Sequence, residues 1–329
     1  MKPILKLYRG YANDNELIVF GHIFKPNTAA AYEFEKKRFR NARSIIRMFR
    51  IKTIANADVY LEHNGIKIHT KALDDGYFKF CIPLEKELTY GWNDYYVSTY
   101  VDGEEIREKG TYIRPYEGTL GFISDIDDTF LVSHTQNFFK KIYILLWKNI
   151  NDRKLFEDVV PHYHALSTAG RNDKDEKNAF FYVSSSEWNL YKFIVKFTDK
   201  HKLPRAVLLL QDIKTSLMDF FVTGRGDHNH KFDKIKHILE FYPKLQYVLL
   251  GDDSQQDPYL YENICKIFPV TVKAVYIRQV SSHKKHKAIK AMENMESMGV
   301  SVCYFRNSIE AIAHSQSIGI IQLDNSLGI

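Results

Sequence analysis

Three carboxylates within four positions, Asp125, Asp127 and Asp128, follow a short apolar stretch from Leu120 to Ile123. Carboxylates this close repel one another and resist ionisation unless a cation or a hydrogen-bonding loop compensates them. The apolar stretch reads as a short strand buried on both faces. Acids at its carboxyl end would lie where open α/β sheets bind ligands. An acidic turn after a strand is the plainer reading, so the motif has to be weighed with the rest of the chain.

Two further constellations have the same form, a hydrophobic strand followed at once by polar groups, and a third opens a helix. Phe180-Phe-Tyr-Val183 runs into Ser184, Ser185 and Ser186 and then a helix-like stretch. A hydroxyl and backbone N–H groups at a strand end, backed by a helix N-terminus, can cradle phosphoryl oxygens. Tyr247-Val-Leu-Leu250 ends in Gly251 and then Asp252, Asp253 and Asp257. Hard oxygen ligands on one or two carboxylates, with positions left for water and phosphate, suit magnesium. The third is His228-Asn-His-Lys231, which opens an amphipathic stretch carrying Ile235, Ile238 and Leu239. A lysine at a helix start works against the helix dipole unless an anion offsets it. His228 and His230 could be read as metal ligands, but they are expected to shape this loop.

The elements that must hold these groups fall into two styles. Residues 3–24 give two strands, Ile4 to Tyr8 and Glu16 to Phe24, around the turn cluster Asn13-Asp-Asn15. Thr28 is a plausible N-cap for a basic helix over about 28–50. Strands return at Val59–Leu61, Ile66–Thr70, Tyr77–Ile82 and Asp94–Val101, punctuated by Asn64-Gly65, Asp74-Asp-Gly76 and Asp102-Gly103. This pattern predicts a small β-sandwich-like domain over 1–114 with one inserted helix. A boundary falls at Arg114-Pro115, and from Leu120 strands alternate with helices. Alternation of this kind predicts an α/β domain over 115–329 with a doubly wound parallel sheet.

Asp-x-Asp-x-Thr, here Asp125 to Thr129, is the nucleophile motif of the haloacid dehalogenase superfamily. Ser124-Asp-Ile-Asp-Asp-Thr129 resembles the branch formed by the actin-patch-associated phosphatidate phosphatases and their bacterial relatives. Gly251-Asp-Asp-Ser-Gln-Gln-Asp-Pro258 is similar to the acidic motif of that family, and Phe180 to Tyr191 to its serine motif, with Glu187 where many relatives carry proline. The resemblance covers about residues 110–320, and its motifs come in the family's order.

The resemblance implies a haloacid dehalogenase-like fold and a magnesium-dependent phosphatase. In it Asp125 attacks phosphorus, Asp127 acts as acid and then base, and Thr129 fixes the loop. Ser184 and Lys231 hold the phosphoryl oxygens. Mg²⁺ is held by Asp125, Asp127 and Asp252, supported by Asp257 or Asp253. The implied substrate is phosphatidate, converted to diacylglycerol. A phosphatase for a soluble phosphate ester would use the same residues, and a binding or scaffold protein on an inactive phosphatase fold is a third reading.

Composition bounds these readings without choosing among them. The chain of 329 residues is 45% hydrophobic and 26% charged, ordinary for globular domains, with a formal charge of +6 that favours anionic partners weakly. Three scattered cysteines, Cys81, Cys265 and Cys303, argue against a disulfide framework and suit a reducing compartment. Met1 to Lys6 has no continuous apolar core of a signal peptide, so a cytoplasmic protein is expected. Peripheral contact with the inner membrane face is expected through the basic 28–50 helix and through the aromatic and lysine-rich Phe138–Lys148 stretch. No nucleic-acid reader motif accompanies the charge, and no nucleic-acid partner is expected.

Overall fold

The computed structural model describes residues 3–26, 52–63, 65–118, 120–126, 159–173, 175–211, 229–253, 256–280 and 286–322. The basic 28–50 helix and the Phe138–Lys148 stretch expected from the sequence lie outside these residues. Contacts divide the chain into two compact units. One is built from Met1–Pro115 together with Glu187–Lys192 and Leu210–Gly226; the other contains Tyr116–Ser186, Phe193–Leu209 and Asp227–Ile329.

The first unit is a mixed eight-stranded sheet of β1 (Ile4–Leu7), β2 (Gly10–Ala12), β3 (Glu16–Phe24), β4 (Asp58–His63), β5 (Ile66–Lys71), β6 (Tyr77–Pro83), β7 (Gly91–Val101) and β8 (Glu104–Arg114). The order is β1-β3-β2-β8-β7-β4-β5, with β6 on β3. All its strands therefore join one hydrogen-bonded sheet, where the sequence suggested a sandwich. The join is the parallel pair of β2 and β8, two strands the turn signals did not reveal. β8 alternates badly at its start, because Glu104 to Lys109 is mostly exposed and only the end from Gly110 is buried. Leu17, Val19, Phe78, Phe80, Val59, Leu61, Tyr95 and Val97 fill the core. Arg114 closes the unit: its buried guanidinium donates to Asp14, Glu87 and the Leu88 carbonyl and lies 4.2 Å from the Tyr90 ring centre. A buried cation needs this many partners to offset its lost hydration.

The second unit is α/β. Its strands are β9 (Leu120–Asp125), β10 (Ala179–Glu187), β11 (Ala206–Gln211), β12 (Gln246–Asp252), β13 (Val272–Arg278) and β14 (Ser301–Phe305). Among the described residues the helices are α1 (Val159–Ser167), α2 (Tyr191–Lys200, after a short 3₁₀ turn at Trp188–Leu190), α3 (Asn229–Phe241), α4 (Asp257–Ile267), α5 (His286–Ser297) and α6 (Ser308–Ser317). The six strands form a parallel sheet in the order β11-β10-β9-β12-β13-β14. The chain therefore starts in the middle and reverses direction across the sheet between β9 and β12. Every residue of β9 is buried, as a central strand covered on both faces requires.

Candidate active site

The register of the sheet brings the sequence motifs to one edge. In the β9–β10 pair Asp125 lies opposite Val183, so Ser184 stands one residue beyond it. In the β9–β12 pair Ser124 lies opposite Leu250, which carries Asp252 to the same edge, and Asp252 in turn pairs with Arg278 of β13. The carboxyl ends of four neighbouring strands thus present Asp125, Ser184, Asp252 and Arg278 beside the point where the strand order reverses. Ligands of open α/β sheets bind at such a place.

Lys231 comes from the first turn of α3, and its Nζ lies 2.8 Å from Asp125 Oδ2 and 3.7 Å from Asp257 Oδ1. The lysine that would otherwise oppose the helix dipole is thereby faced by two carboxylates. Asp257 is the first residue of α4, and its Oδ2 accepts the Asp252 main-chain N–H at 3.3 Å. Burial pushes the Asp257 carboxyl upward, helped by the charge of Asp252 and opposed by Lys231.

Asp125, Ser184, Lys231, Asp252 and Asp257 are all buried. Asp127 and Thr129 lie outside the described residues, as does His228, while His230 is on the first turn of α3. Asp253 is occupied in a different way: its two oxygens accept the Val280 N–H at 2.9 Å and the Tyr304 hydroxyl at 2.7 Å, which ties β12 to the chain after β13 and to β14. Of the two acids that could support a cation beside Asp252, it is Asp257 that faces Asp125 and Lys231.

The donor set fits a magnesium ion. Three buried carboxylates, Asp125, Asp252 and Asp257, stand against two buried cations, Lys231 and Arg278, and burial pushes Asp257 toward its protonated form. Among the described residues no three acids, histidines or cysteines converge as a complete metal cage. Magnesium does not need one, because it keeps several waters and is held by one or two carboxylates together with substrate phosphate.

Two site residues escaped the sequence reading. Arg278 is a buried guanidinium at the end of β13, signalled only by a charge closing the run Val272 to Ile277. Tyr163 of α1 reaches the Ser124 hydroxyl at 2.8 Å. Its signal was Ser124 itself, a polar residue inside an apolar strand that must find a partner.

Fold and site define an α/β protein with an acidic, lysine-faced site at the switch point of a parallel sheet. A family model described as the catalytic domain of phosphatidate phosphatase APP1 matches residues 120–279, a span that includes β9, β10, β12 and every acid of the site. The chain resembles this family's catalytic domain over just under half of its length. It is similar to the phosphatidate phosphatase APP1 of Saccharomyces cerevisiae, with 27% identity over 177 residues. That match takes in 52% of this chain and 27% of the yeast protein, so the chain spans about a quarter of the curated relative's length. Among solved structures, a carbohydrate acetylesterase from Xanthomonas citri aligns over 97% of this chain and 75% of its own at 10% identity and a TM-score of 0.35. Titin M4 aligns over 34% and 94% at 11% identity and a TM-score of 0.19. Likeness at these scores carries no inference.

Proposed function

We propose that this protein is a magnesium-dependent phosphatase of haloacid dehalogenase type that hydrolyses phosphatidate to diacylglycerol through an aspartyl-phosphate. The observation that carries the reading is the 2.8 Å pair of Lys231 and Asp125, buried at the switch-point edge of a family-matched segment. The strand order supports a doubly wound sheet, which the nucleophile strand of this superfamily requires at its centre.

In the first step an Asp125 oxygen attacks phosphorus while the bond to the lipid alkoxide breaks. Asp127, two residues on, gives the leaving alkoxide its proton and so releases diacylglycerol. Water then attacks the phosphorus of the aspartyl-phosphate, Asp127 takes up the water's proton, and inorganic phosphate leaves with Asp125 regenerated. Lys231, 2.8 Å away, holds Asp125 in place, and with Ser184 it stabilises charge on the phosphoryl oxygens. When bound, magnesium, held by Asp125, Asp127 and Asp252 with Asp257 in support, neutralises charge on the phosphoryl group and polarises it. The substrate lies in a bilayer, so the reading includes a peripheral encounter of a cytoplasmic protein with the membrane surface.

The test is an assay of the full chain with Mg²⁺ against phosphatidate in mixed micelles, lysophosphatidate and soluble phosphate esters. Phosphatidate turnover should fall as the lipid is diluted in detergent surface, and Asp125→Asn should lose more than roughly a thousandfold. Equal turnover of soluble esters without micelles would remove the lipid assignment. An Asp125→Asn protein that keeps a tenth of the activity would remove the covalent mechanism.

A further inference from the structure

Asp125 can act only if the end of β9 points it consistently at its partners, and that end is held by hydrogen bonds on both sides of one peptide group. The peptide joining Asp125 to Ile126 offers one carbonyl and one N–H. The Ile126 N–H donates to the Val183 carbonyl of β10 at 3.2 Å. The Asp125 carbonyl accepts from the Ser124 hydroxyl at 2.9 Å. Serine has a single hydrogen to give. With it committed to Asp125, the 2.8 Å contact between Ser124 Oγ and the Tyr163 hydroxyl must run from tyrosine to serine. The result is a directed chain, Tyr163 O–H to Ser124 O–H to the Asp125 carbonyl, in which each bond polarises the next.

The far end of this chain is anchored. Tyr163 and Ser124 are buried, and burial pushes the Tyr163 phenol upward, so it remains a donor. The preceding residue on α1, His162, lies with its Nε2 2.9 Å from Ser315 Oγ of α6, and Ser315 Oγ lies 2.6 Å from the Tyr276 hydroxyl of β13. Helix α1 is therefore tied to α6 and β13 at one residue while the next residue reaches β9.

We propose that Tyr163, acting through Ser124, is a positioning residue for Asp125. The chain fixes the plane of the Asp125–Ile126 peptide, and with it both the direction of the carboxylate toward Lys231 and the departure of the chain toward Asp127. The inference rests on the phosphatase reading for its kinetic arm only. A reacting group displaced by about 1 Å can cost on the order of a hundredfold in rate, so loss of one of two peptide anchors should be visible in turnover.

The test uses the full chain with Tyr163→Phe, Ser124→Ala and the double variant. Each single change should lower kcat for phosphatidate in micelles about tenfold with KM moved less than about twofold, because the bond acts on the reacting group and not on lipid binding. The double variant should fall no more than about twofold below the worse single variant, since both changes cut the same chain. Independently of activity, amide exchange at Ile126 should quicken about tenfold in each variant while the amides of α1 keep their protection. Full kcat in Tyr163→Phe, a loss that multiplies in the double variant, or unchanged exchange at Ile126 would overturn the proposal. If Tyr163→Phe does not fold, Ser124→Ala, which keeps the tyrosine, decides by the same readings. If the wild type turns over no phosphate ester, the phosphatase reading fails, and the exchange measurement still judges the hydrogen-bond chain.

Discussion

Lys231 Nζ and Asp125 Oδ2 stand 2.8 Å apart with both side chains withdrawn from water, one from the first turn of α3 and the other from the end of β9. Two charges buried this way each lose their hydration, and each offsets part of the other's loss. Removing Lys231 alone takes from Asp125 the cation 2.8 Å away, and neutralising Asp125 as well relieves part of that loss.

That asymmetry gives a direct prediction. Lys231→Met should lower the unfolding free energy by about 3 kcal/mol, whereas adding Asp125→Asn in the same chain should restore much of it. Urea denaturation of the wild type, the two single variants and the double variant, all without magnesium, measures the coupling. Additive losses would mean that the two charges do not depend on each other.

Gly251 supplies a second test, because the acid end of β12 leaves no room for a side chain there. A Cβ at this position would lie 2.5 Å from Asp257 Oδ2 and 2.9 Å from the Tyr261 ring, the ring whose hydroxyl donates to the Leu250 carbonyl. Gly251→Ala should therefore push Asp257 and α4 away from Asp252 and reduce turnover by about tenfold or more while the protein stays folded. Kinetics beside far-ultraviolet circular dichroism decide it. Unaltered turnover would show that Asp257 need not stay where it is.

What the sequence disclosed and what it hid follow from the range of the signals. Asp125, Ser184 and Asp252 were legible because each ends an unbroken apolar run, and an apolar run is the local mark of a buried strand. Lys231 was legible because a cation in a first turn asks for an anion. Tyr163 was not, since Val159-Val-Pro-His-Tyr163 has no helical period and its partner Ser124 is far away in the chain. The α4 helix was hidden by its own start, Asp257-Pro258, which reads as the end of an acidic loop although proline is at home in a first helical turn. Trp188 and Tyr191 were read with the serine motif, yet both belong to the first unit, with Trp188 stacked on Tyr8. Only packing between distant parts of the chain could reveal that.

Acid should weaken this fold through buried histidines. His162 is pushed down to about 3 by burial and, secondarily, by His314; His22, in the first unit, is pushed down to about 3 by burial. Both are neutral when folded and bind a proton readily when unfolded. Their neutral forms therefore contribute full stability above about pH 6.5, and that contribution is lost as the pH falls toward the folded value. At pH 5 each should cost about 2 kcal/mol relative to neutral pH. His162→Gln, whose amide nitrogen can stand in for Nε2 toward Ser315, should be less stable at pH 7 but should lose about 2 kcal/mol less on going to pH 5. Chemical denaturation at the two pH values reads the difference, and an unchanged pH slope would remove His162 from the account.

The last prediction concerns the segment after Ser184 and Ser185. Trp188 is buried with its ring centre 4.2 Å from that of Tyr8 and 5.4 Å from that of Phe20. Tyr191 follows it into the same cluster, where its hydroxyl accepts the Arg9 N–H at 2.9 Å and Lys6 Nζ lies 5.5 Å from its ring centre. Aromatic packing of this extent makes Glu187–Lys192 part of the first unit's core rather than a loop resting on it. Trp188→Ala should then cost about 3–5 kcal/mol of that unit's stability, and Trp188→Phe less, because a ring still fills part of the space. Amide exchange in β1 and β3 is the specific readout, since β1 and β3 carry Lys6 and Phe20 and the chain between them carries Tyr8 and Arg9. Exchange there should rise in Trp188→Ala by more than in Trp188→Phe. If β1 and β3 stay as protected as in the wild type while the rest of the chain loosens, Trp188 holds some other part of the molecule and its place in the first unit's core is lost.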